Sequence, residues 1–500
     1  MLSNHQREDW KWYGAPSRLR AWATLLLCSS VFAIGIPLGL WSGLSDPRMM
    51  EGVAGNLMRS ETLTIAATLA STLILIPIIW VFISGVLDTF AFFCVLFAMD
   101  SIGFFYIGIT AWKNGPSLGY GVIREAPLVM LINGVGTLAL FIVLGSTYYI
   151  CTVTGLKILP LRAPPEEYDL RLKWILRALG LVTVGLLAAP MISTHSVPFL
   201  VNDLDARMVL YETDSLRAFY NLGYSLMPYV AAGLVIFYTR KPMHFLGIDG
   251  MIAGLLFITQ LLSGNRGPLA IAIFVTITLF TLERRFSRPM LIVLFAGIIL
   301  LFTFLSGLSG LYRTDRDALK NGAVMKSIEA AYTGDNLIEV RDAAWVLSQW
   351  NFEPLMGTTY LGALTSMLPS GLFPQKKEWH LGRTCIRIVG WENTSHFGLR
   401  VTTFGEAFLN FGLAGAIMLG SILGIIFGTL LRALHQAAEK RPPCLHYNIK
   451  LIILMMMCTC LADTGAFFST WVDLALLIIL WLGVDCCLSN RALSHLTSDR

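Results

Sequence analysis

Runs of about 20 apolar residues recur along the whole of this chain. They are continuous and do not alternate with a period of two, so they read as helices and not as barrel strands. In hydrocarbon, backbone N–H and C=O groups must be satisfied within the protein, which a helix does within its own segment. Hydrophobic residues make up 55% of the 500 and charged residues only 14%, too little charge for a soluble protein of this size. The expected fold is all-α: a polytopic transmembrane helical bundle of about twelve spans with one long, partly helical outward loop. The spans fall at 21–44, 62–84, 86–111, 127–153, 174–194, 219–238, 246–262, 267–282, 289–309, 402–432, 449–467 and 471–488. Three regions are expected: 1–310 with about nine spans, the loop 311–401, and 402–500 with about three.

Basic residues orient the bundle. Arg7, Lys11, Arg18 and Arg20 precede a first span too long for a signal-peptide core, which therefore reads as an anchor. Lys157, Arg162, Arg171, Lys173, Arg177, Arg240, Lys241, Arg284, Arg285 and Arg288 fall on the same side as those four. So do Arg432, Lys440, Arg441, Lys450, Arg491 and Arg500. The short loops opposite hold Arg48, Arg59, Lys113, Arg124, Arg207, Arg217 and Arg266. Both termini are then cytoplasmic, and the loop after the ninth span faces outward. The net charge of +5 reflects topology and gives no reason to expect a nucleic acid.

The outward loop is the one long hydrophilic interval. It opens on YRTDRD (Tyr312 to Asp317) and closes on RVTTFGEAFLNFG (Arg400 to Gly412). Lys326 to Gln349 is helix-like, with Val340, Ala344 and Leu347 on one face. Leu361 to Leu372 is apolar and free of charge, as expected of an interfacial or re-entrant element. The loop therefore reads as a packed cap.

Four constellations carry chemistry. SGNRGPLA (Ser263 to Ala270) puts Arg266 in a glycine-flanked turn before a helix N-terminus, which suits a phosphate or equally a snorkelling arginine. Lys376, Lys377, Arg383, Arg387 and Arg400 are interleaved with Trp379, His380, Trp391 and His396. Guanidinium groups take phosphate and indole faces stack on sugars, although tryptophan and lysine also anchor proteins at headgroups. Glu406 and Asn410 lie four residues apart on one helix face at the solvent end of a span. An acid there is a functional candidate, or the partner of a structural arginine. Asp88, Asp100, Asp463 and Asp473 lie in or beside spans and either complete a site or bond backbone groups. Walker A, HExxH and GxSxG motifs are absent. Asp203-Leu204-Asp205 and Asp315-Arg316-Asp317 are weak metal signals, so neither metal nor cofactor is expected. Cys385 is the lone cysteine of the loop.

SGNRGPLA, the loop segment TTYLGALTSMLPSGLFPQKK and FGEAFLNFGLAGA entering the next helix together resemble Wzy-type polymerases of O-antigen and related oligosaccharide repeat units. The resemblance spans roughly Asp249 to Leu430. It implies an integral-membrane glycosyltransferase of the bacterial inner membrane that acts on undecaprenyl-diphosphate-linked glycans at the outer face. It also implies a chain-length regulator and a flippase as partners. Outward arginines of that family are associated with diphosphate binding. Arg387 to Gly398 fits the arginine-x10-glycine spacing found in some members, but the earlier outward loop lacks a second copy. Breaking a sugar–diphosphate bond builds negative charge on the leaving group, which fixed arginines stabilise without a metal. Arg266, Arg313, Arg383 and Arg387 are the candidates for that role, with Arg400, Asn410 and Trp379 as further substrate contacts. Glu406 is the first candidate base, with Glu392, His396 and Asp463 as alternatives. The rival readings are an O-antigen ligase (for which His380 or His396 would serve), a lipid-linked oligosaccharide flippase, and a structural component of an envelope complex.

Overall fold

The computed structural model describes residues 66–77 (less 68), 81, parts of 94–107, 120–156, 167–197, 214–240, 247–263, parts of 269–300, 339–365, 375–391 and 399–439. Helix is the only regular structure among these residues. The main elements are α1 (Tyr120–Val153), α2 (Glu167–Ser193), α3 (Asp214–Arg240) and α4 (Ile248–Leu262). They are followed by α5 (Glu339–Gln349), α6 (Thr358–Thr365), α7 (Lys376–Trp379), α8 (Leu381–Val389) and α9 (Thr403–Glu439).

Among the described residues, three helical stretches are long and apolar enough to cross a membrane: Gly121–Val153, Lys173–Ser193 and Thr403–Ala433. They coincide with the expected spans 127–153, 174–194 and 402–432. Leu222–Val235, Ile248–Leu262 and Pro289–Ile298 are shorter apolar helices within three further expected spans. The expected spans 62–84, 86–111 and 267–282 are described in part, and 21–44, 449–467 and 471–488 lie outside the described residues.

α1 and α9 form the backbone of one core. Gly420, Gly424 and Gly428 of α9 meet Gly136, Leu140 and Leu144 of α1 in the same order, so the two helices run parallel. A Cβ at Gly424 would lie 2.6 Å from the Leu140 carbonyl oxygen, and one at Gly428 would lie 2.7 Å from that of Leu144. Lipid supplies no hydrophobic drive between helices, so close backbone approach at small residues is what holds such a pair. A second core joins α2, α3 and α4. Lys173 and Arg177, near the start of α2, pair with the buried Asp249 near the start of α4, and Lys173 Nζ lies 3.0 Å from its carboxylate. Tyr220 of α3 donates to Ser263 at the end of α4 at 3.2 Å. α2 and α4 therefore run one way and α3 the other.

The sequence presents 402–432 as one uninterrupted span, but α9 is broken. Gly412 has φ 65° and ψ −158°, a region essentially restricted to glycine. The break frees carbonyls that a continuous helix would use, and in an apolar setting these need partners. The Leu355 and Met356 N–H groups supply them, donating to the Leu409 and Asn410 carbonyls at 2.9 and 3.1 Å.

α5 to α8 cover the end of the bundle where α9 begins. Val340, Ala344 and Leu347 form the buried seam of α5, the face read from the sequence. Residues 326–338 of the expected Lys326–Gln349 helix lie outside the described residues. Trp350 packs edge-on against Phe408 of α9, with ring centroids 5.9 Å apart. Trp345 meets Trp391 in the same manner at 4.7 Å.

Gly424→Val drives a side chain into α1 backbone, and Gly412→Ala imposes a Cβ on a glycine-only conformation. Each is expected to cost about 1–3 kcal/mol. Thermal melting of the detergent-purified protein should show both as lowered Tm. Gly185→Ala, where a Cβ meets nothing within 4 Å, should leave it nearly unchanged.

Candidate functional site

The first helical segment of α9, from Thr403 to the break at Gly412, carries the site. Thr402 caps it, accepting the Gly405 N–H at 3.0 Å on its hydroxyl oxygen. The same hydroxyl donates to Asn133 Oδ1 of α1 at 2.7 Å. Asn133 Nδ2 in turn donates to Asp100 at 3.4 Å. Asp100 also accepts the backbone N–H of Glu339 at the start of α5. Asp100 thus bonds backbone, one of the two roles its sequence position allowed. A buried polar relay therefore runs from the N-terminus of α5, through α1, to the N-terminus of α9. Helix N-termini expose N–H groups that favour such acceptors.

One turn into α9 stands Glu406. Its place in the sequence puts it near bulk solvent, yet it is only 3% exposed because the cap closes over it. Thr359 of α6 donates its hydroxyl to Glu406 Oε1 at 2.7 Å. Asn410 Nδ2 donates to that same Thr359 oxygen at 2.7 Å and to the Glu406 carbonyl at 2.9 Å. Thr359 and Asn410 are also buried. The hydroxyl of Thr359 is therefore clamped between a carboxylate and a carboxamide, which fixes the orientation of the acid. Asn410 Oδ1 is buried without a hydrogen-bond partner among the described residues.

Two further side chains register the acid's field. Tyr360 stacks on Phe411, with ring centroids 6.1 Å apart, and its hydroxyl pKa is pushed up by burial and then by Glu406. Cys385 of α8 is fully buried, and burial, then Glu406 and Asp342, push its thiol pKa up as well.

The 31 residues of Thr403–Ala433 would rise about 46 Å as a straight helix, beyond the ~30 Å hydrocarbon core, so a segment this long reaches past hydrocarbon when it crosses a bilayer.

The other expected site residues divide into two groups. Trp379, Arg383 and Arg387 share the α7–α8 hairpin, and the Trp379 backbone packs against Gly362 of α6. Arg387 is exposed and paired with Glu378 at 3.0 Å. Arg383 and Arg387, four residues apart, share one face of α8, and Arg383 is half-buried. Arg400 is exposed two residues before the Thr402 cap. Arg266, Arg313, Glu392, His396 and Asp463 lie outside the described residues, as do both Asp-x-Asp pairs. Among the described residues no group of three or more His, Cys, Asp or Glu side chains is placed to hold a metal. Sequence reading did not find Thr359, Asn133 or Thr402. Asn133, a carboxamide in the middle of an apolar run, was the available signal.

Comparison with family models, curated proteins and solved structures found no match for the chain.

Thr359→Val strands a buried carboxylate and a buried carboxamide together, at an expected cost of about 1–3 kcal/mol for each lost partner. Thr359→Ser should recover most of it, which paired melting curves would check. The raised thiol pKa of Cys385 keeps it protonated and unreactive through ordinary pH. Maleimide at mildly alkaline pH should therefore label Cys385 only after denaturation, as read by peptide mass spectrometry.

Proposed function

We propose that the protein polymerises undecaprenyl-diphosphate-linked oligosaccharide repeat units into surface polysaccharide at the outer face of a bacterial cytoplasmic membrane, without nucleotide sugar. The observation that carries the reading is a buried, oriented carboxylate, Glu406, near the start of a membrane-length apolar helix and under a packed cap. A sugar joined to a lipid diphosphate presents its reactive bond at the headgroups, where the ends of such helices lie. The acceptor hydroxyl attacks the anomeric carbon, the bond from that carbon to the diphosphate oxygen breaks, and the lipid diphosphate leaves. Glu406 takes the hydroxyl proton, and arginine charge offsets the anion that departs. Arg266, Arg313, Arg383 and Arg387 are the proposed diphosphate ligands. Glu392, His396 and Asp463 remain alternative proton acceptors, with Trp379, Arg400 and Asn410 as glycan contacts.

About twelve spans, with both termini cytoplasmic, complete the proposal. The helix directions support it. Spans four and ten (α1 and α9) are parallel, spans five and seven (α2 and α4) are parallel, and span six (α3) opposes them, as strict alternation requires.

The broken α9 favours a second reading. Discontinuous helices with a buried polar group also build transporter sites, so a lipid-linked oligosaccharide flippase is the alternative. Purified protein given lipid-linked repeat units and no nucleotide sugar should elongate them, whereas a flippase would only translocate them. Glu406→Gln should lower elongation by about 10²–10⁴-fold, and Arg266→Ala should abolish it, with both proteins retained in the membrane. Full activity in either variant removes that residue from the mechanism. A host lacking the gene should keep single capping units on its surface glycan and lose the ladder.

A further inference from the structure

The cap carries an exposed apolar ledge. Met356 is 78% exposed, and Phe352, Leu361 and Leu364 are also exposed. From Pro354 to Phe373 the sequence holds no charged residue, although this interval lies within the long polar loop. An exposed, charge-free patch of this kind in water invites association and marks an interaction surface.

The ledge is built and not incidental. Phe352 and Met356 have φ of 62° and 50°, left-handed values that are unfavourable for side chains of this size. The chain is held there by the two hydrogen bonds from Leu355 and Met356 to the carbonyls freed at the α9 break, and Gly357 turns it back at φ 84°. The result is that Met356 projects outward level with Asn410 and Gly412.

The ledge is also continuous with the apolar flank of α9. A Cβ at Gly357 would lie 3.0 Å from the Phe411 ring, and Tyr360 stacks on that ring. Phe411 itself is exposed and leads into the exposed Leu413, Ile417 and Met418 of the crossing helix. Those three residues stand where acyl chains surround a transmembrane helix. One unbroken apolar surface therefore runs from the crossing helix up onto the cap.

We propose that Phe352, Met356, Leu361 and Leu364 lie in the lipid leaflet on the cap side, so that α6 is an in-plane helix seated at the headgroup–acyl boundary. The occupant is acyl chain. Its anchorage sets the height of Thr359 and hence of Glu406. Exposed Glu353 and the arginine face of α8 stay in water.

The test uses the full chain in lipid nanodiscs. A lipid-soluble diazirine, photolysed and mapped by peptide mass spectrometry, should mark 352–364 as heavily as 413–422 and leave the arginine face of α8 unmarked. Hydroxyl radicals generated in the water phase should oxidise Met356 roughly tenfold more slowly than in the denatured protein, because hydrocarbon excludes water. Rapid oxidation of Met356 without diazirine label overturns the proposal in favour of a solvated ledge. Protection from both reagents also overturns it and assigns the ledge to a protein partner or a second copy, which crosslinking would then identify. Both measurements are made on the unmodified protein, read position and not catalysis, and so stand whether or not the chain elongates glycans.

Discussion

The contact between the α9 glycines and the α1 backbone is the constraint on which the rest is arranged. Because Gly420, Gly424 and Gly428 let the two helices approach at backbone distance, α9 is fixed in height as well as direction along α1. That height brings Thr402 opposite Asn133, and the Asn133–Asp100 bond then reaches the first turn of α5. The cap is thereby positioned by buried polar groups at its two helix starts. A bulkier α9 surface would lose this register before it lost the fold.

The acid at the centre of the site is oriented by two buried neutral side chains. Thr359 and Asn410 orient Glu406 through a hydroxyl and a carboxamide, and nearby Tyr360 and Cys385 are kept protonated by burial and by the acid's own field. The arginine pair on α8 is mounted differently: Arg383 is half-buried, whereas Arg387 is exposed and paired with Glu378.

Much of this was legible in the sequence for simple reasons. Long apolar runs announce helices, and the four-residue spacing of Glu406 and Asn410 places them on one face. The seam Val340, Ala344 and Leu347 follows from helical periodicity alone. What could not be read depends on partners far along the chain. Thr359 meets Glu406 across 47 positions and Thr402 meets Asn133 across 269, and no local pattern encodes such pairings. The break at Gly412 was hidden for another reason. Glycine is common in apolar helices, and only the carbonyls it frees, with the amides that take them up, distinguish a kink from a packing residue. The burial of Glu406 is not legible because a span end ordinarily faces water, whereas here the cap covers it.

The segment from Thr403 to Phe411 is held at both ends, by the Thr402–Asn133 bond at its start and by the two amides of 355 and 356 at its finish. Below Gly412 the crossing rod is joined to it through one glycine. When a bilayer thickens or thins, a spanning helix answers by tilting. In this molecule both segments of α9 are fastened to the same neighbour, the upper through the Thr402–Asn133 bond and the lower through its glycines, so α1 splints the break and tilt carries the carboxylate and the rod together.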